Sequence, residues 1–236
     1  MVSVLGLKKE LANAIRVLAR GEILTLLFGH ASVRVPGENR FLMPGHIHQD
    51  GKLLTDMDEN DIITVGFDGV QIEGRISAPG ERFIHSEIYK ARPDVGGIVH
   101  AHPVLSIAFS VSGTEIVPVE HRAVGFGPKV RILDLPEQID TPELGARVAE
   151  ALGSNLAILL RGHGNVVVGP SLADACANAF TLERNALIQL TAHTIGTGVK
   201  VIKAEEVRCG RGFSSAWPYY LKVYGDEQAT KTSQST

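Results

Sequence analysis

Cysteine is scarce in this chain: Cys176 and Cys209 are the whole complement. Two thiols without motif spacing exclude a disulfide framework and a thiolate metal site, and both read as plain reduced thiols. A basic block is also missing. The 23 Lys and Arg are dispersed among 26 Asp and Glu, for a net charge of −3, so no stretch can neutralise a row of phosphates and nucleic acid is not an expected partner. No apolar run reaches the roughly 18 residues that span a bilayer. The opening MVSVLGLKKE lacks the basic-then-apolar order of a secretion signal, and a cytoplasmic location is expected. Disorder is excluded as well, because 44% of the residues are hydrophobic and 21% charged, an ordinary globular balance.

At 236 residues one hydrophobic core suffices, and a single α/β domain over residues 1–225 is expected, with two small domains as the alternative. The polar tail 226–236 has nothing to bury and is expected to be disordered. Leu7, Leu11, Ile15 and Leu18 recur at helical spacing and predict an amphipathic helix that Gly21 ends. From Ile23 to Val70 the pattern changes to short β-prone pieces, at Ala31–Val35, Phe41–Met43 and Ile62–Phe67, separated by turn residues. A helix is expected from Glu81 to Ala91, stopped by Arg92-Pro93. A strand follows at Gly97–His102. Thr141-Pro142 opens a helix to Leu152, Ala157–Leu160 and Asn165–Val168 read as buried strands, and Ser171 with Asp174 caps a long helix from Leu172 to Ile195. The sum is a mixed, largely antiparallel central sheet flanked by helices.

The nine histidines carry the functional information. On a strand, His100 and His102 face the same side about 6.6 Å apart, a separation that suits two ligands of one ion. A third imidazole, His163, follows a buried strand and is flanked by Gly162 and Gly164, which let the backbone come close to a ligand. Three imidazoles with an open position make a catalytic metal pattern. The bland alternative is a hydrogen-bonded polar face, since such pairs arise readily: His46 and His48 repeat the spacing in MPGHIHQDG, read as a loop. Glu81 and His85 share one helical face. Glu81 is a candidate proton carrier or a residue that merely complements a helix N-terminus, and spacing does not choose between them. Glu87, Asp94 and Glu120 are less well placed.

The block PGERFIHSEIYKARPDVGGIVHAHP, followed by LLRGHGNVVVG and a long helix, resembles the class II aldolase/adducin family over roughly residues 7 to 200. The resemblance implies a three-layer α/β/α fold and a homotetramer of fourfold symmetry with its site at a subunit boundary. It further implies one divalent metal ion per subunit (zinc, manganese, iron or cobalt) held by His100, His102 and His163, with Glu81 as the acid/base and His85 a polar residue one turn on. Sugar-phosphate members carry hydroxyl and amide donors where this chain has Gly29-His30-Ala31-Ser32, Met43-Pro44-Gly45-His46 and Pro79-Gly80-Glu81, which disfavours a phosphorylated substrate. The stretch Arg161–Gly169 is similar to the branch that decarboxylates hydroxylated aromatic diacids such as dihydroxyphthalate.

On that reading Arg161 offers a bidentate fork to a substrate carboxylate, an ordinary surface ion pair being the equal alternative. His30 is a second candidate for orienting that carboxylate, and Tyr219, beside Tyr220, for closing the pocket or joining a subunit contact. The expected activity is a metal-dependent carbon–carbon lyase acting on a small hydroxylated aromatic acid. An aldolase or epimerase on a small hydroxy-carbonyl or sugar-phosphate compound, and a non-catalytic interaction module, are the alternatives.

Overall fold

Ser3 accepts a hydrogen bond from the Gly6 amide at 3.1 Å and so opens helix α1, Val4–Arg20, satisfying one of the donors that a helix start leaves bare. Its Leu7, Leu11, Ile15 and Leu18 are buried, and each such side chain contributes roughly 1.5–3 kcal/mol by leaving water. These features belong to a computed structural model that describes residues 3–25, 28–46, 51–196, 198–207 and 213–225. Cys209, His48 and the tail from 226 lie outside the described residues.

The strands are β1 (His30–Arg34), β2 (Arg40–Pro44), β3 (Ile62–Gly66), β4 (Gln71–Glu73), β5 (Gly97–Ala101), β6 (Arg131–Leu133), β7 (Ala157–Leu160) and β8 (Gly164–Gly169). They form one sheet in the order β4-β3-β2-β1-β5-β8-β7-β6. Every pairing is antiparallel except β6 with β7. The remaining helices are α2 (Arg82–Ala91), α3 (Val104–Ser112), α4 (Pro142–Leu152), α5 (Leu172–Ile195) and α6 (Trp217–Tyr224).

Side chains alternate across a strand, and here the alternation sorts the core into two layers. Leu42, Val99, Leu159 and Val167 pack with α1 and α5 on one face. Phe41, Ile98, Ile158, Val166 and Val168 pack with Ile84 and Ile88 of α2 and Val148 and Leu152 of α4 on the other. The architecture is therefore a mixed, mostly antiparallel sheet between two helical layers. Cys176 is buried inside α5, where burial pushes its thiol upward and leaves it without thiolate character.

Most expected elements are present, with ends shifted by a few residues. Helix α3 is a departure. Its sequence VLSIAFSVS has no charged face, and no helix is expected there. What makes it helical is tertiary: Glu183 of α5 accepts hydrogen bonds from the amides of Leu105 (2.9 Å) and Ser106 (3.3 Å), capping α3 from outside its own sequence. Helix α6 is likewise held from afar, with Tyr220 and Tyr224 stacked on Phe180 at ring separations of 4.1 and 5.8 Å.

Candidate metal centre

Strand β5 lies between β1 and β8, with His100 opposite His30 on one side and Val166 on the other. Its parity places His100 on the α2 side of the sheet. His102 follows just past the strand's end, before Pro103 starts α3. His163 sits in the tight turn between β7 and β8. Two glycines make this crowding feasible. A Cβ on Gly164 would lie 2.2 Å from the Ala101 carbonyl oxygen, and one on Gly29, at φ +88°, would lie 2.6 Å from that of His100; only glycine tolerates either approach.

Glu81 occupies the N-cap of α2, but its side chain caps nothing there. The carboxylate instead turns across the sheet end. Its Oε1 accepts from the Ile139 amide at 3.2 Å and faces His163 Nε2 at 3.3 Å, while Oε2 faces His100 Nε2 at 3.4 Å. His100 Nε2 and His102 Nε2 are 2.9 Å apart. One donor atom from each of these four residues lies within 4.8 Å of every other.

Four ligands at about 2.0–2.1 Å around a tetrahedral ion stand roughly 3.3–3.4 Å from one another, so the observed spacings fit a divalent cation. The chemistry of the donors fits as well. His100 Nδ1 donates to the Asn165 carbonyl oxygen at 2.9 Å, which leaves the lone pair of its Nε2 for the centre. Burial, and then the neighbouring His100, hold His102 down at about 3 and His163 down at about 4, so both are neutral ligands across the physiological range. Burial alone would raise the Glu81 carboxyl, yet the closeness of His100 and the other imidazoles holds it far below the usual carboxylate range.

Behind this set lies a support that the sequence did not signal. Asn165 Nδ2 donates to Ser106 Oγ at 2.8 Å, and Ser106 Oγ donates to Glu183 at 3.0 Å. One chain of bonds thus fixes the Asn165 peptide that aligns His100 and the start of α3 that follows His102.

A cavity of about 210 Å³ opens beside the cluster, lined among others by Phe28, His30, His46, Glu81, His102 and Gln138. Phe28, 54% exposed, stacks on His102 with ring planes 3° apart. His30, buried and held by that burial down at about 3, brings its Nε2 to 4.0 Å from Glu81.

The other sequence candidates fall elsewhere. His85 is fully buried behind His30, both ring nitrogens engaged, with His30 Nδ1 at 2.7 Å and Ser32 Oγ at 2.7 Å. Arg161 turns to the surface, where its Nε pairs with Asp134 at 2.5 Å, so the ion-pair alternative is the one on display. Tyr219 is 72% exposed on α6. Glu87, Asp94 and Glu120 pair with Lys90, Arg92 and Arg184. Phe28, Ser32, Tyr89, Gln138 and Asn165 were not singled out. Asn165 acts through its backbone, which no residue type announces, and Ser32 and Tyr89 declare themselves only once β1 and α2 are laid together.

Fold and site together place a histidine-and-carboxylate centre at a sheet end. Residues 9–190 match the family model described as the class II aldolase and adducin N-terminal domain, and the chain belongs to that family. It is 30% identical over 232 residues to a 3,4-dihydroxyphthalate decarboxylase of Arthrobacter keyseri, covering 92% of this chain and 93% of the relative. A second 3,4-dihydroxyphthalate decarboxylase, from Rhodococcus jostii, is 26% identical over 201 residues, 81% of this chain and 82% of its own. Among solved structures an L-fuculose 1-phosphate aldolase superposes with a TM-score of 0.77 at 22% identity, covering 94% of this chain and 98% of that one, a likeness of fold. Among the described residues, no helix is long and apolar enough to cross a membrane.

Proposed function

We propose that this chain is a divalent-metal-dependent decarboxylase of a hydroxylated aromatic carboxylic acid, 3,4-dihydroxyphthalate being the model substrate. The observation that carries the reading is the convergence of Glu81, His100, His102 and His163 beside a cavity that Glu81, His102 and the aromatic ring of Phe28 line. Near full-length similarity to a dihydroxyphthalate decarboxylase supports the substrate class. A cation held there supplies Lewis acidity to a substrate oxygen on which charge builds.

The chain's own residues do the rest. Glu81 takes the proton of the substrate's hydroxyl as that group ionises. The ionised oxygen feeds its electron pair into the ring while Glu81 returns the proton to the ring carbon that bears the carboxylate, so that the oxygen becomes a keto group. The bond to the carboxylate then breaks, its electron pair passes through the ring to the keto oxygen, CO₂ departs, and a solvent proton restores the hydroxyl. Of the two candidates for this transfer, Glu81 reaches the cavity whereas His85 is sealed behind His30. Phe28 offers its face to the substrate ring, and His30 offers an N–H to a carboxylate or phenolate oxygen. The enzyme is read as a cytoplasmic homotetramer whose sites lie near subunit boundaries, where the exposed Tyr219 of α6 would find its place.

The test is a metal-reconstituted assay over aromatic hydroxy-diacids and sugar phosphates, read for CO₂ and for aldehyde. CO₂ from the diacids alone is expected. Aldehyde from a hydroxy-carbonyl compound, without CO₂, would establish instead the aldolase reading that the structural likeness to L-fuculose 1-phosphate aldolase favours.

A further inference from the structure

Behind His30 runs a line of buried polar side chains that the proposed reaction does not consume. His30 and Ser32 alternate on β1 and therefore face α2 together, and on α2 His85 and Tyr89 stand one turn apart. The four interlock. His30 Nδ1 lies 2.7 Å from His85 Nε2, His85 Nδ1 lies 2.7 Å from Ser32 Oγ, and Ser32 Oγ lies 2.8 Å from the Tyr89 hydroxyl. None is more than 7% exposed. Phe41 and Phe67 pack around the far end.

Three hydrogen bonds must be served by the protons of four neutral groups, and three orderings do so. In one, Tyr89 donates to Ser32, Ser32 donates to His85 Nδ1, and His85 Nε2–H donates to His30 Nδ1. His30 then carries its own proton on Nε2, facing the cavity. In the other two His30 and His85 both donate through Nδ1, and the bond between Ser32 and Tyr89 runs either way. Each of these buries one hydroxyl proton, that of Tyr89 or that of Ser32, without an acceptor, because among the described residues the two hydroxyls have no partners beyond each other and His85. Both also turn a bare His30 Nε2 lone pair toward the Glu81 carboxylate 4.0 Å away. Leaving a buried donor unsatisfied costs about 1–3 kcal/mol, and the repulsion of lone pairs adds to it, so the first ordering prevails. Burial pushes the Tyr89 phenol up and the His85 imidazole down, which keeps both groups neutral, as the count requires.

We propose that Tyr89, Ser32 and His85 are positioning residues that lock His30 in its Nε2–H tautomer, so that β1 presents one fixed N–H donor to the cavity for an anionic oxygen of the substrate. The tautomer follows from the buried line alone. Its use toward a substrate oxygen rests on the proposed function.

The experiment is ¹⁵N-histidine NMR on the zinc-loaded protein, with the His30 signals assigned by their loss in His30→Asn, for wild type, His85→Gln and His85→Phe. The glutamine amide can accept from Ser32 and donate to His30, as His85 does, whereas phenylalanine can do neither. His30 is expected as the Nε2–H tautomer in wild type and in His85→Gln, and as a mixture in His85→Phe. In turnover, His85→Phe should raise KM by about tenfold or more, with kcat falling less and His85→Gln recovering most of the loss. A wild-type His30 protonated on Nδ1 would overturn the proposal, as would an Nε2–H signal unchanged in His85→Phe. An Nε2–H tautomer in a protein that releases no CO₂ from any aromatic diacid would uphold the positioning role and count against the proposed function.

Discussion

Two groups of imidazoles lie side by side at one end of this sheet, the rings of His30 and His100 only 5.2 Å apart, and they have opposite characters. His100, His102 and His163 converge with Glu81 on a common point. His30 and His85 spend their Nδ1 and Nε2 atoms on each other and, through Ser32, on Tyr89. The first group has lone pairs to give away; the second has none to spare, and on the proposed ordering His30 Nε2 is left with an N–H to donate. His100 and His85 are both fully buried, and what distinguishes them is the partner of the second nitrogen, a backbone carbonyl for His100 and a serine hydroxyl for His85.

Substitution should separate the groups in the same way. The largest effect is expected from His102→Ala, which should lose both metal and turnover, whereas His85→Phe should retain its metal; parallel metal analysis and CO₂ assays check the contrast. Glu81→Gln should keep the metal but slow turnover by about 10²- to 10⁴-fold, measured as kcat at saturating metal; an unimpaired rate would remove Glu81 from proton transfer. Ser106→Ala breaks the line from Glu183 to Asn165 and leaves the Asn165 amide bare. A stability loss of about 1–3 kcal/mol in denaturant unfolding is expected, with weaker metal retention because the peptide aligning His100 is freed. The smallest effect belongs to Arg161→Ala. An exposed pair with Asp134 is worth about 0–1 kcal/mol, and KM for the diacid should stay unchanged; a large rise in KM would return Arg161 to the substrate.

Much of this was legible beforehand, for identifiable reasons. Alternation along Gly97–His102 and the glycines around His163 pointed to three histidines that could converge, as they do, because strand parity and backbone approach are local properties. The caps at Thr141 and Ser171 set their helices for the same reason. Helix α3 was not legible, since Glu183, the residue that caps it, is 78 positions from Leu105. Glu81 stood as an acid/base candidate, but its closeness to the three imidazoles was not legible, because its turn away from the N-cap depends on the Ile139 amide across the fold. For Arg161 a substrate fork and a surface ion pair stood equal until Asp134 came beside it. In each case the deciding partner was remote in sequence.

The sharpest test is the divalent metal content of the purified protein after zinc incubation and removal of free ion, compared between wild type, His85→Phe and His102→Ala. About one tightly held equivalent per chain is expected in the first two, as a single donor set requires, with only a small fraction of it left in His102→Ala. A wild-type chain that emerges metal-free, or a His102→Ala chain that keeps its full equivalent, would contradict the assignment of these side chains to one cation.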